Sequence, residues 1–311
     1  MEIIRGMHNL RDRHRGCVAT IGNFDGVHRG HKALLAQLKA QGRALGVPTT
    51  LITFEPQPRE YFRGREVPAR LTRLREKLHL LEQVGVDRVL CLPFNEKLAS
   101  MSAAAIVDDL LVGALGVRYL MVGDDFRFGH NREGDFALLK AAGARDGFAV
   151  DQLDTLALAE ERVSSTRVRE ALSAGDLLRA EQLLGHRYFI AGRVVYGRQL
   201  GRELGIPTAN VPLKRYRAAL EGVFAVEVSG LGPILQGVAN IGIRPTVEGR
   251  EPLLEVHLFD FSGDIYGRLI TTTFRHKIRD EWKFESIDAL KARIDFDIGL
   301  SREFFAAEYP S

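Results

Sequence analysis

Two histidines in a glycine-rich stretch, G-N-F-D-G-V-H-R-G-H at residues 22–31, have a spacing that could do chemistry. His28 and His31 are three apart, so they share a face if a helix begins here, and Gly30 leaves the backbone open to a ligand. Because the N–H groups that open a helix attract anions, the pattern predicts a phosphate site with imidazole donors. Two alternatives stay open on this stretch alone: a zinc site that uses both histidines, and a purely structural glycine turn.

A second candidate anion site lies in E-R-V-S-S-T-R-V-R-E-A-L, residues 161–172. The stretch offers three good N-cap residues for a following helix: Ser164, Ser165 and Thr166. Capping alone is therefore one interpretation. Arg167 and Arg169 would stand in the first helical turn, where the helix dipole disfavours cations. An anion bound there would explain both arginines, because guanidinium groups clamp phosphate oxygens.

Both stretches resemble motifs of one enzyme family. The first is similar to the H-x-G-H signature of the nucleotidyltransferase superfamily and to G-N-F-D-G-V-H-x-G-H of the bacterial bifunctional riboflavin kinase/FAD synthetases. The second resembles the S-S-T-R-[IV]-R motif of that family. The resemblance implies that His28 and His31 are catalytic. It also implies these nucleotide- and phosphate-binding residues: Gly22, Asn23, Phe24, Gly30, Asp125, Ser164, Ser165, Thr166 and Arg167.

Two further stretches resemble the family's nucleotide and flavin site. V-G-D-D-F-R-F-G (122–129) is similar to its G-x-[DN]-F-x-F-G run, although on the residues alone these aromatics are ordinary core. T-F-E-P-Q-P (53–58) is similar to T-F-E-P-H-P, with glutamine where histidine is usual, so a titratable group is lost while hydrogen bonding survives. The flavin-binding residues implied by resemblance are Gln57, Phe62, Phe126, Phe128 and Arg275.

A separate site is predicted in G-R-V-V-Y-G-R-Q-L-G-R-E-L-G-I-P-T-A-N-V, residues 192–211. Thr208 and Asn210 carry short side chains with oxygens suited to Mg²⁺, while a glycine- and proline-rich turn is the alternative on composition. The stretch resembles the riboflavin kinase signature, with Tyr196 and the R-Q-L triplet as departures. The phosphate-binding residues implied here are Gly197, Gly201, Gly205 and Pro207. By the same resemblance, Glu255 is the base that accepts the proton of a flavin hydroxyl.

Composition narrows the class of protein. The chain has 311 residues, and its 43 Lys and Arg exceed its 40 Asp and Glu by too little to indicate a nucleic-acid or membrane surface, so neither partner is expected. The two cysteines, Cys17 and Cys91, lack metal-type spacing, and a reduced cytoplasmic setting is the expectation. The N-terminal residues lack the apolar core of a signal peptide. Composition does not indicate an oligomeric state.

Two rhythms of the sequence predict the elements that position these residues. Residues 1–184 alternate apolar runs with helical periods, which predicts a Rossmann-like, doubly wound parallel sheet that binds ligands beyond the carboxyl ends of its strands. Residues 185–311 contain short runs with period-two alternation, which predict an antiparallel β-barrel, and then a terminal helix with Ser286 as N-cap. Barrel and sandwich are not separable from this pattern.

The resemblance extends over nearly the whole chain and implies two activities. Residues 185–311 would phosphorylate riboflavin with MgATP to give FMN, and residues 1–184 would join FMN to AMP from a second ATP, giving FAD and pyrophosphate. Two other functions stay open. The chain could be a riboflavin kinase only, with its first half as a nucleotide- or flavin-binding module. It could also be an adenylyltransferase for another phosphorylated metabolite, with the barrel as a structural partner.

Overall fold

The computed structural model describes residues 1–153, 157–158, 161–197, 201, 205–246 and 249–308. The chain forms two compact units, one made of Met1–Val67 and Arg73–Ser164 and the other of Pro68–Thr72 and Ser165–Ser311. The prediction placed the join between residues 184 and 185. In the structure the second unit begins at Ser165 instead. The helical residues 165–184 therefore pack within the second unit, where Gly175 lies directly against the side chain of Lys277. Among the described residues, no helix has the length and apolar character needed to cross a membrane.

A parallel sheet organises the first unit. Its strands are β1 (Glu2–Arg5), β2 (Cys17–Ile21), β3 (Thr49–Phe54), β4 (Arg88–Leu92), β5 (Val117–Gly123) and β6 (Ala149–Leu153). They lie in the order β1-β4-β3-β2-β5-β6. A short antiparallel pair follows, β7 (Ala157–Leu158) and β8 (Glu161–Arg162). The sequence rhythm predicted β2 to β5 but not the outer strands β1 and β6, of which β6 has no buried residue.

Helices cover both faces of this sheet, which confirms the doubly wound prediction. They are α1 (Arg29–Leu45), α2 (Pro58–Arg63), α3 (Leu74–Val84), α4 (Glu96–Ala99), α5 (Ala103–Ala105), a π-helical segment (Ile106–Ala114) and α6 (Phe136–Asp146). Cys17, Ala19 and Ile21 of β2 join the core formed with the π-helical segment and α6. Val18 points to the opposite face, where it meets α1 at Gly42. All five residues of β2 are buried, as expected for a central parallel strand.

The sheet has its topological switch point beside β2. Strands β3 and β4 follow β2 along the chain and lie on one side of it, whereas β5 and β6 lie on the other side. Open α/β sheets bind ligands at this position, beyond the carboxyl ends of their strands. The turn that begins at Gly22 leaves the carboxyl end of β2 and is therefore at the expected place for a ligand.

The second unit contains a nearly closed antiparallel barrel. Two helices, α7 (Ser165–Ala174) and α8 (Leu177–Leu184), precede its strands. These are β9 (Phe189–Arg193), β10 (Ala209–Pro212), β11 (Gly222–Ser229), β12 (Leu235–Thr246), β13 (Gly249–Leu258) and β14 (Leu269–Arg279). Their order is β10-β13-β12-β11-β14-β9, and Val195, just after β9, donates its N–H to Asn210 of β10 at 2.8 Å. That contact joins the two ends of the sheet and favours the barrel over a sandwich.

The terminal helix α9 (Ile287–Glu308) packs on the outside of the barrel. Its Phe305 lies in a cluster with Val223, Ala225 and Val238, whereas alternate residues such as Phe224 point into the barrel interior. The prediction that Ser286 caps this helix is confirmed, because its hydroxyl accepts the N–H of Ala289 at 3.1 Å.

Candidate active sites

The turn between β2 and α1 has an unusual backbone. Phe24, Gly26 and Val27 have φ angles of 48°, 83° and 42°, in the left-handed region. Non-glycine residues rarely adopt this region, and a β-branched valine there is a marked outlier. Such strain persists where the surrounding structure holds it and is concentrated at ligand sites. Phe24 and Val27 are 3% and 0% exposed, so their buried side chains provide that anchoring.

The two histidines form one stacked pair at the start of α1. Their ring centroids are 3.6 Å apart with 15° between the planes. His28 is the N-cap of α1, and its Nδ1 accepts the N–H of His31 at 3.3 Å. A Cβ at Gly30 would lie 3.2 Å from the His28 ring and 3.5 Å from the carbonyl oxygen of Val163. Gly30 therefore makes room for the imidazole and for the chain that leads into Ser164.

His31 lies in an environment that favours its neutral form. Burial is the main cause that lowers the pKa of His31 well below its usual value, and the positive charges of His28 and Lys77 lower it further. Its Nδ1 is buried and has no hydrogen-bond partner within the described residues, and its ring contacts Phe24 at 4.6 Å between centroids. A neutral imidazole keeps one N–H, which can donate a hydrogen bond to a phosphoryl oxygen.

The other predicted phosphate residues of the first unit lie near the same sheet edge. Asn23 belongs to the turn, and its carbonyl oxygen accepts from Thr53 Oγ1 at 3.5 Å. Asp125 follows β5, the neighbour of β2, and is exposed, with Arg162 3.5 Å away. Phe126 and Phe128 stack at 5.5 Å, but Phe128 is 8% exposed and belongs to the core. Their flavin contact stays a prediction.

A cluster of four aromatic rings lies beyond the carboxyl ends of β3 and β4. It consists of Phe54, Tyr61, Phe62 and Phe94, with centroid separations of 5.2 to 5.7 Å. Phe62 is 68% exposed. Sequence reasoning missed Tyr61 and Phe94, because Phe94 follows a different strand and only the sheet order brings it here. Gln57 is the N-cap residue before α2 and is buried, and its Nε2 has no partner among the described residues.

The S-S-T-R residues span the end of one unit and the start of the other. Ser164 ends the first unit, and α7 begins at Ser165 in the second. Arg167 pairs with Glu170 at 2.9 Å on the exposed face of α7. Arg169 donates from Nε to the carbonyl oxygen of Ala69. Arg169 therefore has a structural partner, whereas the phosphate roles of Ser164, Ser165, Thr166 and Arg167 stay predictions.

Three polar side chains form a row on the outer face of the barrel. Glu255 of β13 lies directly opposite Asn210 of β10 on one side and Asn240 of β12 on the other. Directly opposed residues on antiparallel strands have Cβ atoms about 5 Å apart. The prediction that Glu255 faces away from Leu254 and Val256 is confirmed, because both neighbours are fully buried. Asn240 was missed, since strand register is not readable from one sequence.

Glycines of the loop before β10 allow close approach to this row. A Cβ at Gly197 would lie 2.4 Å from Asn210 Nδ2, and one at Gly201 would lie 3.3 Å from Thr208 Oγ1. Gly205 has φ +79° and precedes Ile206, whose N–H donates to the carbonyl oxygen of Gly201 at 2.7 Å. The R-Q-L triplet (198–200) that departs from the family form lies outside the described residues, as do 202–204.

Pro207, Thr208 and Asn210 are tied to one another and to β13. The Asn210 Nδ2 donates to the Thr208 carbonyl oxygen at 3.3 Å, which leaves Oδ1 for another ligand. The Pro207 carbonyl oxygen is 2.9 Å from His257 Nδ1. The Thr208 hydroxyl and the Asn210 Oδ1 are neutral oxygens, and Glu255 adds a carboxylate opposite Asn210. Such oxygen ligands suit a hard cation that also binds phosphate oxygens and water. In the described residues, no group of three or more His, Cys, Asp or Glu side chains could hold a metal.

Arg275 is the one predicted flavin residue in the second unit, where it lies in β14. Its side chain is 3% exposed and pairs with Glu227 of β11 at 2.5 Å and with Glu308 of α9. The guanidinium thus links the barrel to the terminal helix. Its flavin contact stays a prediction.

Comparisons with known proteins identify both halves of the chain. Residues 10–167 match the FAD synthetase family and residues 184–305 the riboflavin kinase family. A Pseudomonas fluorescens protein named bifunctional riboflavin kinase/FMN adenylyltransferase is 54% identical over 98% of each chain. A protein of the same name from Escherichia coli K12 is 53% identical over 100% of each chain. One from Haemophilus influenzae is 48% identical over 98% of this chain and 99% of its own.

A solved structure has a similar fold over nearly its whole length. It is a crystal structure from Streptococcus pneumoniae described as that of a macrolide-efflux protein, with a TM-score of 0.82 and 27% sequence identity. The match covers 97% of this chain and 99% of the other.

Proposed function

We propose how two reactions are divided within this chain, which belongs to the family of bifunctional riboflavin kinases/FMN adenylyltransferases. The enzyme makes FMN from riboflavin and ATP, and FAD from FMN and ATP with release of pyrophosphate. We assign the second reaction to the turn at His28 and His31, and the first to the row at Glu255. The strained turn with its stacked histidines is the observation that carries the assignment of FAD formation to His28 and His31.

In the adenylyltransferase, an oxygen of the FMN phosphate attacks the α-phosphorus of ATP. The bond between the α-phosphorus and the bridging oxygen breaks, and pyrophosphate leaves. The attacking phosphate is already ionised, so positioning and charge stabilisation supply the catalysis. His28, His31 and the first backbone N–H groups of α1 would hold the reacting phosphoryl group, since the two rings stack where α1 begins.

The remaining assignments of the adenylyltransferase follow the family pattern. Gly22, Asn23, Phe24, Gly30 and Asp125 would line the nucleotide, and Ser164, Ser165, Thr166 and Arg167 would hold its leaving phosphates. We assign the flavin ring to the aromatic cluster at Phe62, because an exposed aromatic group beyond two strand ends offers stacking surface. Gln57 and Phe126 are expected beside it.

In the kinase, a ribityl hydroxyl of riboflavin attacks the γ-phosphorus of ATP. The bond to the β,γ-bridging oxygen breaks, ADP leaves, and the hydroxyl proton passes to the Glu255 carboxylate. Asn210 and Asn240 flank Glu255 in register and would hold its carboxylate toward the hydroxyl. The glycines at 197, 201 and 205, with Pro207, would leave the backbone open to the ATP phosphates.

Mg²⁺ is the expected metal of the kinase. Asn210 fits it, because the bond from its Nδ2 to Thr208 directs Oδ1 elsewhere, and the Thr208 hydroxyl lies in the same loop. Magnesium would neutralise phosphate charge as it accompanies ATP. We further infer small-molecule partners, no nucleic acid and a cytoplasmic location. The near balance of charges and the two buried cysteines, which form no disulfide, support this inference.

One experiment tests this division. The purified chain is incubated with riboflavin, Mg²⁺ and ATP, and flavins are resolved by chromatography over time. Glu255→Gln should lower FMN formation by about 10²–10⁴-fold while added FMN is still converted to FAD, and His28→Ala should do the reverse. The exposed Glu221→Gln and His79→Ala are matched controls.

The other outcomes reject parts of the proposal. If the unmodified chain forms FMN but no FAD, the chain is a riboflavin kinase only. If riboflavin is not converted at all, the chain has neither activity. If either site variant stays folded yet loses both reactions, the division between two sites is wrong.

A further inference from the structure

Lys77 is a fully buried lysine that the assigned reactions do not use. It lies in α3 of the first unit, is 0% exposed and is among the largest fully buried side chains. Removing an ammonium group from water costs several kcal/mol, so a lysine is rarely retained in such a position without a specific role. Its neighbour Glu76 has a structural role, because its carboxylate accepts the N–H of Arg73 at the start of α3.

The Lys77 ammonium points toward the turn between β2 and α1 (residues 22–28), which we call the phosphate turn. Nζ lies 3.3 Å from Thr53 Oγ1, at the carboxyl end of β3. Thr53, itself 0% exposed, donates to the carbonyl oxygen of Asn23 at 3.5 Å. A buried path thus joins Lys77 to the backbone of the turn through one hydroxyl. The ammonium also acts on His31, because it is one of the positive charges that lower the pKa of that imidazole.

A cation in this position suits adenylyl transfer. The reacting phosphates carry negative charge, and a fixed positive group in a water-poor interior acts on them more strongly than one in solvent. A fixed group also loses no energy by reorganising when the reaction occurs. An exposed arginine lacks this advantage, since solvent screens its charge.

We propose that Lys77 is a positioning residue of the adenylyltransferase: through Thr53 its ammonium fixes the turn at Asn23, and its charge adds to the attraction of the ATP phosphates. The inference rests on the assignment of this reaction to the turn. Lys77 should also affect the pH dependence of FAD formation, because its charge lowers the pKa of His31. The other charged groups there are His28 from the same turn and the buried carboxylate of Asp25.

Three variants of the full-length chain test the proposal. Lys77→Met removes the charge, Thr53→Val removes the hydroxyl link and keeps the charge, and Lys77→Arg keeps a cation. FAD formation from FMN is measured against ATP concentration from pH 5 to 8. Circular dichroism reports on folding, riboflavin phosphorylation by the same molecules reports on the second unit, and Lys140→Met, at an exposed position of α6, is the matched control.

We expect Lys77→Met to lower kcat/KM for ATP in FAD formation by about 10–100-fold, as for loss of a charged hydrogen-bonding partner. The acidic limb of its pH profile should move to higher pH, because His31 loses a positive neighbour and becomes easier to protonate. Thr53→Val should lower FAD formation without moving that limb, and Lys77→Arg should recover part of the activity. Kinase activity should stay unchanged throughout.

Several results would overturn the inference. FAD formation by Lys77→Met within threefold of the unmodified chain, with the same pH profile, rejects it. If that variant does not fold, an active Thr53→Val with unaltered kinetics rejects the link to the turn. Absence of FAD formation in the unmodified chain would instead reject the underlying function, so the two failures are distinguishable.

Discussion

At the scale of single residues, the phosphate turn depends on how its histidines fit together. Gly30 was expected to open the backbone to a ligand, yet the close neighbour of its missing Cβ is the His28 ring. His28 in turn accepts the N–H of His31, so the first histidine orders the second. The imidazoles are therefore held in place before any substrate binds, which lowers the cost of organising the site.

The low pKa of His31 makes the first unit sensitive to acid. Because its pKa is lowered in the folded chain, the unfolded chain binds a proton first as the pH falls through about 6.5. The unfolded state then holds more protons, so the free energy of unfolding should fall from about pH 6.5 downward until the folded pKa is reached. His31→Asn should flatten this dependence.

Urea unfolding measured at several pH values checks this prediction. Circular dichroism follows both units, and fluorescence of Trp282, the single tryptophan, reports on the second unit and should not respond to the His31 variant. An identical pH dependence with and without His31 would contradict the prediction.

At the scale of elements, the kinase site depends on a loop lying against a strand. A Cβ at Gly197 would lie 2.4 to 2.6 Å from the amide atoms of Asn210, so Gly197→Ala should displace that side chain. We expect kinase activity to fall about 10-fold or more, since forced shifts of this kind cost about 1–3 kcal/mol, while FAD formation is unaffected. Separate assays of the two reactions measure this.

Gly299→Ala is the control for the glycine substitution. Gly299 lies in α9 with no atom within 4 Å of an added Cβ, so alanine there should preserve both activities and raise stability by about 0.5–1 kcal/mol. Equal kinase activity in Gly197→Ala and the unmodified chain would show that the loop does not hold Asn210 in this way.

The link between α9 and the barrel is also an element-scale feature. Arg275→Met removes a buried guanidinium and leaves the Glu227 carboxylate, which is 16% exposed, without its closest cation. The free energy of unfolding should fall by about 2–4 kcal/mol, as for a broken buried ion pair. Urea unfolding followed by Trp282 fluorescence measures it.

An exposed ion pair from the same helix provides the comparison. Arg302 pairs with Asp260 at 2.8 Å, but both side chains are at least half exposed, so Arg302→Met should cost no more than about 1 kcal/mol. Similar losses for the two variants would contradict a special role of Arg275 in stability. Loss of flavin binding by Arg275→Met at unchanged stability would instead support its predicted flavin contact.

At the scale of the whole molecule, the chain contains two reactions linked by FMN. If FMN made by one molecule is released into solution, another molecule can adenylylate it. A mixture of full-length Glu255→Gln and His28→Ala should therefore convert riboflavin to FAD, although neither variant alone completes both steps. Chromatography of the mixture against each variant alone measures this, and FMN accumulation without FAD in the mixture would contradict it.

Much of this organisation could be predicted from the sequence. Hydrophobic periodicity indicated strands β2 to β5 and the alternation of Leu254, Glu255 and Val256, because burial on one or both faces of a sheet leaves a period in the chain. Motif spacing indicated the two predicted phosphate-binding stretches, residues 22–31 and 192–211. The outer strand β6 escaped prediction because its side chains are at most partly buried, as Val150 is, so its apolar pattern is weak.

Local sequence by itself thus determined the chemistry available to this protein: two histidines on a glycine-rich turn, a threonine and an asparagine after a proline, and a glutamate on a strand. Tertiary structure decided which residues from distant parts of the chain join them. Sheet order brings Phe94 to Phe62, strand register places Asn240 beside Glu255, and helix packing buries Lys77 beneath Thr53. These placements arise from long-range packing and pairing, and such contacts leave no periodic mark in the local sequence.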